Sequence, residues 1–303
     1  MDSRNWGKCH HFPQTPSGRV RVLGHGAFPV TLVRGDRCTA LVEAGISATV
    51  DDICRGLDRS GAAPDFIVIT HPHGDHVAGL DAIRVRFPAI RVLAGEGAAE
   101  FLSRPRVAEA IVAEDHYLSS CLSAWGGPTG RSALGTAPSL SGAAICGDGE
   151  ELDLGGVTLR FLAVGGHAPG NLAVFIPEER TLLASDSLGF YYPGGWIFPL
   201  FFTGFGEYMA TLDRLESLHP ESLGLGHYGW MRGAKVGETF ALARRCASDL
   251  RERLKNDPRD DETAVAGIFA EFYRDELTLY SRENIMDCCR LLLRRSREEV
   301  GQW

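Results

Sequence analysis

Four side chains of metal-ligand type are packed into six residues, in the run His71-Pro72-His73-Gly74-Asp75-His76, and three more stand far downstream at His167, Asp186 and His227. Imidazole nitrogens and carboxylate oxygens bind divalent cations such as zinc, and two imidazoles one residue apart can share one ion. Asp75 and His76, a step further on, can turn to a second ion. On this reading His167 completes a three-histidine site with His71 and His73, and His227 joins Asp75 and His76. The two oxygens of Asp186 can bridge both ions. The chemistry such a pair supplies is hydrolytic: a bridging water loses a proton near neutral pH, and the hydroxide attacks a carbonyl or phosphoryl centre without a protein nucleophile. Asp75 is expected to orient that nucleophile, and Tyr191, Tyr192 or Tyr228 to donate to the developing oxyanion.

Each ligand needs an element that ends where the ligand begins. Phe66-Ile67-Val68-Ile69-Thr70 is an apolar, β-branched run that reads as a buried strand delivering the first cluster into a loop. Residues 157–164 alternate as a strand and lead into Gly165-Gly166-His167-Ala168-Pro169-Gly170, a tight turn that presents an imidazole edge without crowding. Residues 180–185 read as a strand ending at Asp186, and residues 223–226 as one ending at His227. Further strands are expected near 20–23, 30–33, 39–42 and 90–94, with helices near 49–57 and 77–87, an alternation that signals a layered α/β half. In open α/β sheets the ends of strands carry the active site. Residues 96–124 read as helical, and the Gly/Ser/Pro-rich connector 126–142 as a mobile surface loop.

The arrangement resembles the metallo-β-lactamase superfamily of hydrolases, whose signature His-x-His-x-Asp-His stands intact at residues 71–76. The likeness extends over residues 18–232, where the order of strands and ligands matches throughout. Within that superfamily the chain is similar to thioesterase-type members with a helical C-terminal extension, the quinolone-signal-response thioesterases. The stretch Ala40-Leu41-Val42-Glu43-Ala44-Gly45-Ile46-Ser47 and the tail helices carry that narrower resemblance. Asn171 departs from many relatives, in which a second histidine follows the turn, but it removes none of the seven ligands.

The resemblance implies an α/β fold, an αββα sandwich of two mixed sheets with the metals at one edge. It divides the chain into an N-terminal segment (1–17), a catalytic domain (18–232) and a helical extension (233–303). It implies a dinuclear metal-dependent hydrolase of an ester-like bond, in first place a thioester of an apolar or aromatic acyl group. The alternatives are a lactone or phosphodiester hydrolase, an iron-dependent persulfide oxidoreductase, and a metal-containing regulatory binding protein. Zinc is the first expectation for the two divalent ions, with iron or manganese compatible with the same donors.

Composition narrows the setting. With 303 residues, 44% hydrophobic and 23% charged, the chain can bury a large core. A formal charge of -8 leaves no basic excess for a phosphate backbone, so nucleic acid is not an expected partner. No apolar run reaches a spanning length and the amino terminus lacks a signal pattern, so no membrane role and a cytoplasmic location are expected. Eight cysteines without a Cys-x-x-Cys spacing read as reduced thiols, and Cys9-His10-His11 as a tail rather than a metal site. Between Ser187 and Gly206, aromatic residues are interleaved with glycines, an irregular segment expected to wall a pocket for a small-molecule substrate with an apolar or aromatic group. The tail shows three amphipathic helical patterns, centred on Ala247, Ile268 and Cys289, with a break at Asn256-Asp257-Pro258 and Ser281 as the cap of the third. These helices are expected to cap the pocket or to form a homodimer surface.

Overall fold

The computed structural model describes residues 17–128 and 131–298; the N-terminal segment with Cys9, His10 and His11 lies outside them. Two six-stranded mixed sheets stack face to face. The first runs β1 (Val20–His25), β2 (Phe28–Arg34), β3 (Thr39–Val42), β4 (Phe66–Ile69), β5 (Arg91–Gly95), β6 (Ala144–Cys146) in spatial order, antiparallel up to β3 and parallel beyond it. The second contains β7 (Glu151–Asp153), β8 (Thr158–Ala163), β9 (Leu172–Ile176), β10 (Thr181–Ser185), and, after a separate hairpin of β11 (Phe190–Tyr192) and β12 (Trp196–Phe198), β13 (Ser222–Leu225) and β14 (Trp230–Arg232). Its order is β14-β13-β10-β9-β8-β7, with only β10 and β13 parallel.

Strand β4 shows why the layers form. Phe66 and Val68 point into the apolar layer between the sheets, shared with Leu172, Val174 and Leu183, while Ile67 and Ile69 point into the core beneath the helices. A strand buried on both faces is written as an unbroken apolar run. Helices α1 (Val50–Ser60) and α3 (Leu80–Arg86) cover the first sheet. Between them in sequence lies the one-turn α2 (Gly74–Val77), and the helix expected over 77–87 is α3, which begins only at Leu80. After the short α4 (Ala98–Leu102), α5 (Pro105–Ala124) joins both halves, with Ile111 in the first core and Leu118 and Leu122 in the second.

The second core merges the outer face of β9, β10 and β13 with α6 (Phe205–Glu216) and the three tail helices α7 (Ala234–Lys255), α8 (Asp261–Phe272) and α9 (Arg282–Arg297). Leu182 and Leu223 of the sheet share one apolar cluster with Phe240, Ala247, Ile268 and Leu292, so the tail is built into the body of the protein. Caps fix where these helices begin: Asp260 accepts from Thr263 N–H at 2.9 Å and Ser281 from Asn284 N–H at 3.1 Å.

Two local expectations need correction. The aromatic segment is not irregular throughout, because Phe190, Tyr191 and Tyr192 pair with Phe198, Ile197 and Trp196 in the β11–β12 hairpin. The connector after α5 is anchored as well: Asp115 accepts from Leu134 N–H at 2.9 Å, and Leu140 is buried. No helix among the described residues is long and apolar enough to cross a membrane, and the seven described cysteines are free.

Candidate metal centre

Strand register brings the ligand-type residues to one edge of the sandwich. The cluster from His71 follows β4, His167 sits in the turn between β8 and β9, Asp186 follows β10, and His227 lies two residues beyond β13, the parallel neighbour of β10. All seven residues named from the sequence converge there. His71, His73, His167 and Asp186 form one group, and Asp75, His76 and His227 another. Asp186 lies between the groups, with Oδ2 at 3.5 Å from His76 Nε2 and 3.6 Å from His167 Nε2, and Oδ1 at 3.4 Å from His227 Nε2.

The far side of four of the five rings, those of His71, His76, His167 and His227, is tied to an oxygen, which fixes the edge that faces the centre. His167 Nδ1 donates to Leu200 O at 3.1 Å, and His227 Nδ1 to Ala27 O at 2.6 Å. His71 Nδ1 donates to Thr70 Oγ1 at 3.0 Å, and the Thr70 hydroxyl in turn donates a hydrogen bond to Glu43 Oε1. His76 Nδ1 stands 3.2 Å from the same Glu43 oxygen, which also accepts from Ser185 Oγ at 2.8 Å. Such outer partners set the tautomer so that the opposite nitrogen offers a lone pair.

The donors fit a cation. His167 Nε2 is 3.3 Å from His71 Nε2 and 3.1 Å from His73 Nδ1. Three imidazole nitrogens bound tetrahedrally at about 2.0–2.1 Å from one ion are separated by roughly 3.3 Å. His76 Nε2 and Asp186 Oδ1 are buried and lack a hydrogen-bond partner, a costly state unless something else engages them. Burial pushes His71 and His167 below the usual imidazole range and His73 down to about 3, so all three rings are neutral at neutral pH. Burial works the same way on His227 and His76, but the facing carboxylates outweigh it: Asp186 and Asp75 raise His227 to about 9, and Asp75, Glu43 and Asp186 raise His76 well above the usual imidazole range. Burial alone would raise Asp75 and Asp186, yet His76 and His227 hold both below the ordinary carboxylate range.

Backbone strain gathers at the same edge. Glu43, Ser185 and Tyr228 have φ of 77°, 49° and 49°, a left-handed conformation uncommon outside glycine. Each adjoins a ligand or is bonded to one, and the hydroxyl and carboxylate bonds around Glu43 help to hold the conformation. Gly226 is needed for another reason: a Cβ there would collide with Asp186 Oδ1.

The tyrosines named from the sequence are not where the chemistry needs them. Tyr192 is buried, its hydroxyl donates to Phe272 O at 2.7 Å, and its ring stacks on Trp196. Tyr191 alternates to the opposite side of β11 from Phe190, whose ring stacks on His227 at 5.0 Å. Tyr228 packs edge-on against Phe190 and does not line the cavity above the cluster. The hydroxyl in the site belongs instead to Tyr280, which leads into α9. It donates to Asp75 Oδ2 at 2.6 Å and lies 3.4 Å from His227 Nε2. Sequence reasoning missed Tyr280 and Glu43. The only signal for Glu43 was a lone acid within an apolar stretch, and Tyr280 had none.

Above the cluster opens a cavity of about 740 Å³, floored by His73, Asp75, His167, Asp186 and His227. Phe190, Phe198 and Phe202 wall one side. Residues 277–291 of the tail wall another, so the tail caps the site.

Comparison with known proteins agrees with this geometry. Residues 29–227 match the model of the metallo-beta-lactamase superfamily, and the chain belongs to that family, whose members are mostly metal-dependent hydrolases. A metallo-beta-lactamase fold-containing protein of Sulfurisphaera tokodaii is 25% identical over 287 residues, covering 90% of this chain and 96% of the relative. A hydroxyacylglutathione hydrolase of Acidiphilium cryptum is 28% identical over 253 residues, covering 78% and 85%. Among solved structures, a beta-lactamase domain protein from Burkholderia ambifaria superposes with a TM-score of 0.66 at 17% identity, covering 91% of this chain and 86% of the other, a likeness of fold.

Proposed function

We propose that this protein is a dinuclear metal-dependent hydrolase of thioesters whose acyl group is apolar or aromatic. The observation that carries the reading is the ligand cluster at the floor of a large, mostly apolar cavity. The hydroxyacylglutathione hydrolases among the relatives support the choice of thioester, since an acyl group on glutathione is carried by sulfur.

On this proposal His71, His73 and His167 would hold one cation and Asp75, His76 and His227 the other, with Asp186 placed to serve as a ligand between the two groups. Zinc is the first choice and iron or manganese fit the same donors. Two divalent ions bound there would polarise a carbonyl and supply a water that ionises near neutral pH. The chain's own residues do the rest. Glu43 and Thr70 orient His76 and His71 through their Nδ1 atoms. Tyr280 keeps its proton, because burial and the charges of Asp75 and Asp186 raise its pKa, and its Oη–H holds Asp75 Oδ2 in place. Phe190 and Phe202 pack against His227 and His167 and hold those rings in place.

The test begins with elemental analysis of the purified protein. Chelator should abolish hydrolysis of an arylacyl thioester, and added metal should restore it. A panel of thioesters, lactones and bis-p-nitrophenyl phosphate should show the highest kcat/KM for a thioester. Full turnover by His73→Ala, or a lactone or phosphodiester as the better substrate, would overturn the reading.

A further inference from the structure

A second polar station lies in the same cavity, outside the ligand cluster. Glu114 comes from α5, and Asn284 and Cys288 come from successive turns of α9. Asn284 Nδ2 donates to Glu114 Oε2 at 2.7 Å, and Cys288 Sγ donates to Asn284 Oδ1 at 3.4 Å. The Asn284 backbone N–H is occupied by the Ser281 cap. The carboxyl is therefore braced through one oxygen. The other, Oε1, is shielded from bulk solvent and has no protein partner. Glu114 lines the cavity together with the apolar residues Ile111, Leu277, Ile285 and Leu291.

A carboxyl oxygen left bare beside apolar walls is costly unless water or a ligand meets it. A ligand that fills the cavity relieves that cost only if it brings a hydrogen-bond partner for the oxygen. The sense of the bond follows from the charges nearby. Glu283 and Asp287 lie on the same wall, Arg106 is the only lysine or arginine in the lining among the described residues, and Asp75 and Asp186 belong to the metal cluster. A group bearing only acceptors meets like polarity here, whereas an N–H or O–H is well received.

We propose that Glu114 determines specificity, its Oε1 receiving a hydrogen-bond donor, N–H or O–H, carried on the apolar part of the substrate. This deepens the hydrolase reading and rests on it for the reacting end of the substrate. The favoured substrates are acyl thioesters whose apolar body carries an amine, amide or hydroxyl group. Burial, with a smaller push from Asp75, raises the Glu114 carboxyl to about 7, so measurements belong at about pH 8, where it is ionised.

The experiment uses full-length, metal-loaded protein and matched ligands: phenylacetic acid, its 3- and 4-hydroxy and 3- and 4-amino derivatives, and their N-acetylcysteamine thioesters. Calorimetry reads binding of the acids, and steady-state kinetics read KM and kcat for the thioesters. Wild type should bind at least one donor-bearing acid about tenfold more tightly than phenylacetic acid, as for one hydrogen bond to a charged group. Glu114→Leu should lose that preference, and so should Glu114→Gln, because its single oxygen stays with Asn284 Nδ2 and its NH2 group takes the place of Oε1. The kinetic effect should fall on KM rather than kcat. No donor preference in wild type, or a preference that survives in Glu114→Leu, overturns the proposal. A melting curve of each variant guards against misfolding. Selective binding without thioester turnover would sustain this inference and refute the hydrolase reading; turnover without selectivity would do the reverse.

Discussion

Replacing Glu114 by glutamine should stabilise the protein above neutral pH, by an amount the structure sets. The carboxyl is held at about 7, chiefly by burial, against an unperturbed value near 4.5, while the bond from Asn284 pulls the other way. Between those values the folded protein keeps a proton that the unfolded chain has released. Stability from this group is therefore fully present below about pH 4.5 and declines as pH rises to about 7. A difference of that size corresponds to about 3 kcal/mol, and water in the open cavity reduces it toward about 1 kcal/mol. Glutamine does not titrate and keeps an oxygen for Asn284. Urea denaturation of wild type and Glu114→Gln at about pH 5 and about pH 8 isolates the effect, because the metal ligands titrate alike in both and cancel in the difference. The variant should gain about 1–3 kcal/mol on wild type between the two pH values. A wild-type-minus-variant difference that does not move with pH would refute the account of a carboxyl buried at a cost.

Three further outcomes test the metal centre. Tyr280→Phe should keep its metal and KM but lose kcat by about tenfold to a hundredfold, since Asp75 loses the donor that holds it; unchanged kcat would remove Tyr280 from the mechanism. Glu43→Gln should weaken metal binding by about tenfold to a hundredfold in a chelator competition, because the carboxylate behind His76 is gone while hydroxyl bonds from Thr70 and Ser185 can persist; wild-type affinity would count against it. Gly226→Ala should give a folded protein of reduced metal stoichiometry, since the added Cβ displaces Asp186; full loading would show that the loop yields instead.

The parts of the site that could be read in the sequence are those the backbone delivers. The cluster from His71 to His76 follows a strand whose apolar character announces burial on both faces, and His167, Asp186 and His227 each follow or join strands, so topology alone carries them to one edge. Side chains that act across the fold leave no such trace. Tyr280 reaches Asp75 over 205 residues and Asn284 reaches Glu114 over 170, and only the packing of α9 on the common core makes either pair meet. Nearness in sequence misled for the same reason: Tyr191 and Tyr192 follow Asp186 closely, but strand alternation turns the first away from Phe190 and the second spends its hydroxyl on Phe272. The hairpin holding them did have a signal, since Pro193-Gly194-Gly195 between two aromatic runs is turn chemistry and Gly195 takes φ of 87°. The tail therefore has a double role. Its apolar faces complete the core, and the residues ahead of and within α9 reach over the edge to brace one acid of the metal centre and one of the cavity wall.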